Sequence, residues 1–122
     1  MANRQSELGQ REAALASATE AVEHYSALAE IHPDTFLPNL AGTLNNLANR
    51  QSELGLREAA LFSSKEAVQL LSPYFIKWPE AYKSWMGIML GNYLRYCEAA
   101  DQEPDVELVL PIIEKLNELD QE

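Results

Sequence analysis

Apolar residues recur at helical spacing along most of the chain. Between positions 11 and 31 they fall at Ala14, Leu15, Ala18, Ala21, Val22, Tyr25, Leu28 and Ala29. Steps of three and four place them on one stripe of a helix. Pro33 closes this segment, because the residue ahead of a proline is pushed out of the helical region. Leu37, Leu40, Leu44, Leu47 and Leu54 continue the spacing up to Gly55 and predict a helix over about 36–54. Asp34 and Thr35 are its candidate caps, and Pro38 fits a first turn, where a missing N–H is harmless. Further helices are predicted over 57–71, stopping ahead of Ser72-Pro73, over 80–100, opened by Pro79, and from Asp105 to about Leu119. Pro111 predicts a kink or break in the last, since an interior proline costs about 3 kcal/mol. At the start, residues 2–8 read as a short stub stopped by Gly9.

The pattern also repeats. Ala-Asn-Arg-Gln-Ser-Glu-Leu-Gly stands at 2–9 and again at 48–55, an offset of 46 residues. The offset carries Arg11-Glu12-Ala13-Ala14-Leu15 onto Arg57-Glu58-Ala59-Ala60-Leu61, and Glu20-Ala21-Val22 onto Glu66-Ala67-Val68. It continues more faintly from Pro33 to Pro79, Phe36 to Tyr82, Leu44 to Leu90 and Asn46 to Asn92. A fixed period of 20–50 residues signals stacked units, none of which buries its apolar face alone. The chain therefore reads as helix pairs in series, over 1–35, 36–72 and an altered terminal unit over 73–122. Trp78, Tyr82, Trp85, Met86, Met89, Tyr93 and Tyr96 supply bulk to close that terminal unit, with a ligand pocket as the alternative use.

Leu44-x-x-Leu47-Ala48, Leu54-Gly55, Ala59-Ala60 and Ala67 resemble a tetratricopeptide repeat, with Ala2, Gly9, Ala14 and Ala21 in the same places one unit earlier. The long period and the Asn-Asn-Leu-Ala run are similar to the kinesin-light-chain-like branch of that family. The resemblance implies an all-α fold, a right-handed α–α superhelix of about two and a half helix pairs with a divergent C-terminal capping pair. It also implies a concave groove lined by the first helix of each pair, which places Asn3, Asn45, Asn49, Ser52, Asn92, Arg95 and Glu98 there. Relatives of this kind are common in bacterial multidomain proteins, beside signalling NTPase or caspase-like peptidase domains. Repeats of this family bind proteins or peptides without catalysis. An amide both donates and accepts, so a ladder of Asn suits a peptide backbone, and it equally suits groups between helices. Capture of a terminal carboxylate would need Lys and Arg, and Arg95 alone qualifies. The first unit lacks a counterpart of 36–46, which leaves two expectations: a longer solenoid, or a homodimer through the incomplete first pair. Assembly into filaments and a sensor or spacer role beside an effector domain stay open as alternatives.

Composition narrows the chemistry. The net charge of −10 disfavours nucleic acid and anionic membranes, which are bound through clustered Lys and Arg. No apolar run approaches the length needed to cross a bilayer, and the polar first residues lack a signal-peptide core, so a cytoplasmic setting is expected. Cys97 is the single cysteine, expected as a buried, inert thiol. Glu20, His24 and His32 have a faint metal-ligand spacing, yet Leu70 and Trp78 replace the histidines one unit later. The charges shared by both units, Arg4/Arg50, Glu7/Glu53, Arg11/Arg57 and Glu12/Glu58, read as surface pairs. No phosphate-cradling loop, nucleophile elbow or metal motif is present, so neither an enzyme nor a cofactor is expected.

Overall fold

The computed structural model describes the backbone of residues 4–121 and the side chains of residues 6–121. Five helices follow in chain order: α1 Arg4–Ile31, α2 Pro33–Glu53, α3 Arg57–Lys77, α4 Pro79–Ala99 and α5 Val106–Asp120. Among the described residues there is no strand, and no helix is long and apolar enough to cross a membrane. The expected all-α class is thus met, with three changes to the elements.

The stub and the helix after it are one. α1 runs straight through Gly9, which is exposed and not in the left-handed region. Gln10, Arg11 and Glu12 are good helix formers, and an interior glycine costs only about 0.5–1 kcal/mol relative to alanine, too little to stop them. α3 likewise passes Pro73 and ends at Lys77, and α5, expected to continue beyond Pro111, does so without a break. Pro73 and Gln69 are both exposed, as are Pro111 and Glu107, so each proline and the residue it leaves without an N–H partner lie on the solvent side of the helix. Phe75 beyond the first proline and Ile112 beyond the second are fully buried. Burying such a side chain stabilises by about 1.5–3 kcal/mol, comparable with the cost of the proline. The third change is at the start of α2. His32 is the N-cap and makes no side-chain cap bond, while Asp34 lies in the first turn, so Asp34 and Thr35 are not the caps, and Pro38 is a buried residue of the helix interior rather than of its first turn.

The connections carry the repeat more faithfully than the side chains do. His32 alone joins α1 to α2 with φ −132° and ψ 76°, and Trp78 alone joins α3 to α4 with φ −129° and ψ 68°. Each precedes a proline at the first helical position, where fixed φ starts the next helix. At the opposite end of the pair, Leu56 N–H donates to the Gln51 carbonyl and Gly55 N–H to that of Ser52, with Gly55 at φ 75°. This is a Schellman ending. α4 ends in the same way: Gln102 N–H donates to Cys97, Asp101 N–H to Glu98, and Asp101 takes φ 55°. Asp101 therefore stands 46 residues on in the place of Gly55, in a conformation that aspartate tolerates better than most residues.

Such short connections make successive helices antiparallel neighbours. Tyr74 reaches Asp34 and Ser63 reaches Gln51, so α3 runs against α2. α1 packs on α2, α2 on α3 and α3 on α4, with α5 resting on α3 and α4. One core joins Leu40 and Leu44 of α2, Val68, Leu71 and Phe75 of α3, Met86, Leu90 and Tyr93 of α4, and Val109 and Ile112 of α5. Val22 and Tyr25 of α1 pack against it. The apolar stripe of α1 is therefore turned toward α2, with Leu15 and Val22 partly buried. The chain exposes 7686 Å², whereas a compact monomer of its mass exposes about 6,600 Å². The helices are thus laid out in a row rather than rolled into a ball.

Three substitutions separate the backbone effects. Gly9→Ala is expected to raise unfolding free energy by about 0.5–1 kcal/mol, since a Cβ there meets nothing within 4 Å. Gly55→Ala meets equally open space but a positive φ, and should lose about 1 kcal/mol or more. Asp101→Gly should gain stability by relieving the same conformation. Urea unfolding of the three variants beside the parent measures all three signs.

Candidate functional site

α2 and α4 lie parallel, one repeat apart, and meet along a polar seam. Asn92 donates from Nδ2 to Asn45 Oδ1 at 3.2 Å, and Arg95 donates from Nη2 to Asn92 Oδ1 at 2.6 Å. Tyr96 donates its hydroxyl proton to Asn49 Oδ1, and the Arg95 guanidinium lies 5.4 Å from the centre of the Tyr96 ring. Four of the residues expected in a groove, Asn45, Asn49, Asn92 and Arg95, are thereby brought together. In these bonds Asn45 and Asn49 act as acceptors, so their NH2 groups retain donating capacity. Ser52 and Glu98 are exposed near the C-terminal ends of α2 and α4. Asn3 lies outside the described residues.

Apolar surface adjoins the seam. Gly42, Asn45, Trp85, Ile88 and Met89 line a shallow concavity of about 190 Å³. Trp85 is 43% exposed and Ile88 61%. This splits the expected terminal cluster in two. Met86, Met89, Tyr93 and Tyr96 are buried, at helical spacing on one face of α4. Trp78 in the corner and Trp85, a hundred degrees from Met86 around the helix, stay open to solvent. Val106 and Leu110 of α5 are exposed as well, so the last pair closes the core only in part.

Tyr96, Trp85 and Ile88 were not legible as members of this face. The 46-residue offset equates Asn49 with Arg95, yet the contact is with Tyr96. Stacked units related by translation and rotation must touch through different faces, a heterologous contact. Contacting residues are therefore one position out of step with equivalent ones.

The other chemical candidates disperse. Among the described residues no group of three or more His, Cys, Asp or Glu is placed to hold a metal, and His24 packs edge-on against Tyr25. Arg50 pairs with Glu53 at 3.0 Å within α2. Both border a polar cavity of about 320 Å³ with Glu7 and Arg11 of α1, and Arg50 Nε is buried without a hydrogen-bond partner. Partly exposed pairs of this kind contribute only about 0–1 kcal/mol. Cys97 is 1% exposed, and burial pushes its thiol above the ordinary 9.0 against the lowering pull of Tyr93 and Lys65. An inert thiol is what such a site gives. Burial also raises the Tyr93 hydroxyl, which accepts the Asp105 N–H at 2.9 Å.

Two measurements follow from this geometry. A double-mutant cycle of Asn45→Ala and Asn92→Ala is expected to give a coupling of about 0.5–1.5 kcal/mol in unfolding free energy. Cys97 and Tyr93 are held neutral by the fold, so the unfolded chain loses these protons first on raising pH. Stability should be level up to about pH 9 and fall as the pH climbs through the raised folded values. Cys97→Ala should postpone the onset of that fall toward the ordinary tyrosine value of 10.0, as read from urea midpoints across the alkaline range. Comparison with protein-family models, with curated proteins and with solved structures gave no match.

Proposed function

We propose that this chain is a non-catalytic scaffold that binds a peptide or protein segment in the cytoplasm through the α2–α4 face. On this reading the helices form a tetratricopeptide-like superhelix, and the seam lies along its concave side. The observation that carries it is the conjunction at one face of an amide ladder with donors in reserve and two exposed apolar side chains. An extended or helical segment needs both: polar groups for its backbone and an apolar notch for an anchoring side chain. The anchors are expected to hold most of the affinity, as large side chains in well-packed spots usually do. Packed helix pairs present this face without rearrangement, which lowers the ordering cost of association. The acidic net charge favours partners with a basic balance.

Exposed Val106 and Leu110 favour a second reading, association of copies through the C-terminal pair. It differs from a dimer formed through the first pair, whose apolar stripe is turned toward α2.

Peptides selected from a random display library against the intact chain test the main reading. Trp85→Ala combined with Ile88→Ser should weaken selected peptides by about ten-fold or more at unchanged helix content. Bound peptide should slow amide exchange in α2 and α4. The reading is lost if selected peptides bind the double variant as well as the parent. Sedimentation that shifts with concentration, and stops doing so in Leu110→Asp, would instead establish self-association.

A further inference from the structure

A second concavity lies along the edge of the row where the two proline corners sit. It measures about 410 Å³ and shares no lining residue with the α2–α4 face. Leu37, Leu70 and Pro73 supply apolar wall, and Tyr74 and Trp78 supply aromatic wall. The two rings are nearly parallel, 17° apart with centroids 6.3 Å from each other, and Trp78 is 48% exposed. Asp34 borders the same space. Its Oδ1 accepts the Tyr74 hydroxyl proton at 3.0 Å, and it takes part in none of the ion pairs among the described residues. An acid in the first turn of a helix is favoured by the helix dipole, which accounts for Asp34 being there. The dipole does not account for an aromatic stack and an apolar wall gathered around a carboxylate without a cation.

Lys77 shows what these rings attract. Its ammonium lies 4.6 Å from the centre of the Trp78 ring, at the rim of the cavity. The ring therefore already holds a cation from its own chain, and that cation is exposed and displaceable. A flat aromatic surface beside a carboxylate suits a guanidinium better than an ammonium. The guanidinium is planar, weakly hydrated and presents paired N–H groups, so it can lie on a ring and fork onto a carboxylate together. A chain of net charge −10 draws such groups toward it.

We propose that this cavity receives an arginine side chain presented by a partner peptide, with the guanidinium against Tyr74 and Trp78 and paired to Asp34. The arginine stem lies along Leu37, Leu70 and Pro73. Lys77 is the like charge that must swing aside, and it sets a limit on affinity. This site stands whether or not the α2–α4 face binds its own segment, because the two are lined by separate residues.

Trp78 and Trp85 are the only tryptophans, so a Trp85→Phe background makes Trp78 the sole reporter. The intact chain is titrated with a blocked Gly-Ser-Arg-Ser-Gly peptide, with its lysine and citrulline counterparts, and with free arginine. The arginine peptide should change Trp78 emission saturably and bind about ten-fold more tightly than the lysine peptide. Asp34→Asn should weaken it by about ten-fold, and Lys77→Ala should tighten it by about two-fold or more. Both side chains are exposed, and unchanged far-ultraviolet dichroism confirms the fold of each variant. An equal response to citrulline, or weaker binding after Lys77→Ala, overturns the proposal. Free arginine binding as tightly as the peptide overturns its assignment to a peptide partner.

Discussion

α3 touches α2, α4 and α5 at once, and alanines on α2 and α3 permit it. Ala41 and Ala48 on α2 and Ala60 and Ala67 on α3 are 0–1% exposed. A larger side chain at any of them would hold two helices apart, and interiors packed at crystal-like density leave no slack to absorb it. Around these contacts the larger residues close in: Leu40, Leu44, Val68, Leu71 and Phe75 meet Met86, Leu90 and Ile112 in one core. The two buried serines are satisfied in place. Ser63 donates to Gln51 Oε1 at 2.7 Å across α2 and α3, and Ser64 donates to the Leu61 carbonyl within its own helix.

That arrangement sets where chemistry is available. A row of helices has two long faces and two edges where the helix termini lie, and the core consumes the surfaces between neighbours. What remains is the α2–α4 face, with its amides and Trp85, and the corner edge, with its aromatic wall and Asp34. The first joins the leading helices of two successive units, and the second lies between the two helices of one pair and the corner that follows it. Both are also held by backbone devices rather than by long side chains. Single-residue corners ahead of Pro33 and Pro79 fix one edge of the row, and the endings at Gly55 and Asp101 fix the other. Rigid corners suit a surface that must present the same groups to successive partners.

The periodicity of apolar positions was enough to give the number and order of the long helices, because a helix is decided by neighbours three and four residues away. The exact repeat at 2–9 and 48–55 also gave the pairing of α2 with α3, since a unit that cannot bury its own face must stack. Local signals misled where helix propensity or burial outweighed them. Gly9 and Pro73 carry the mark of a helix end and stand inside helices, and Pro111 stands inside α5 without breaking it. In each case the penalty is at most about 3 kcal/mol and is met on the solvent side of the helix, while Phe75 and Ile112 are drawn into the core.

The candidate sites divide in the same manner. Asn45 and Asn49 were legible as one face, because helix phase is encoded in the chain, and the tetratricopeptide resemblance implied Asn92 and Arg95 beside them. Their joining to one another, and the entry of Tyr96 into the ladder, depended on how far α4 is rotated and shifted against α2. The meeting of Asp34 with Tyr74 spans forty residues and leaves no trace in either helix alone. Amino-acid order thus specified which side chains share a stripe, a matter of short-range geometry. Only the packing of one rod on another decided which stripes meet, because that choice is made by the sum of many small side-chain contacts across the interface and by no single residue.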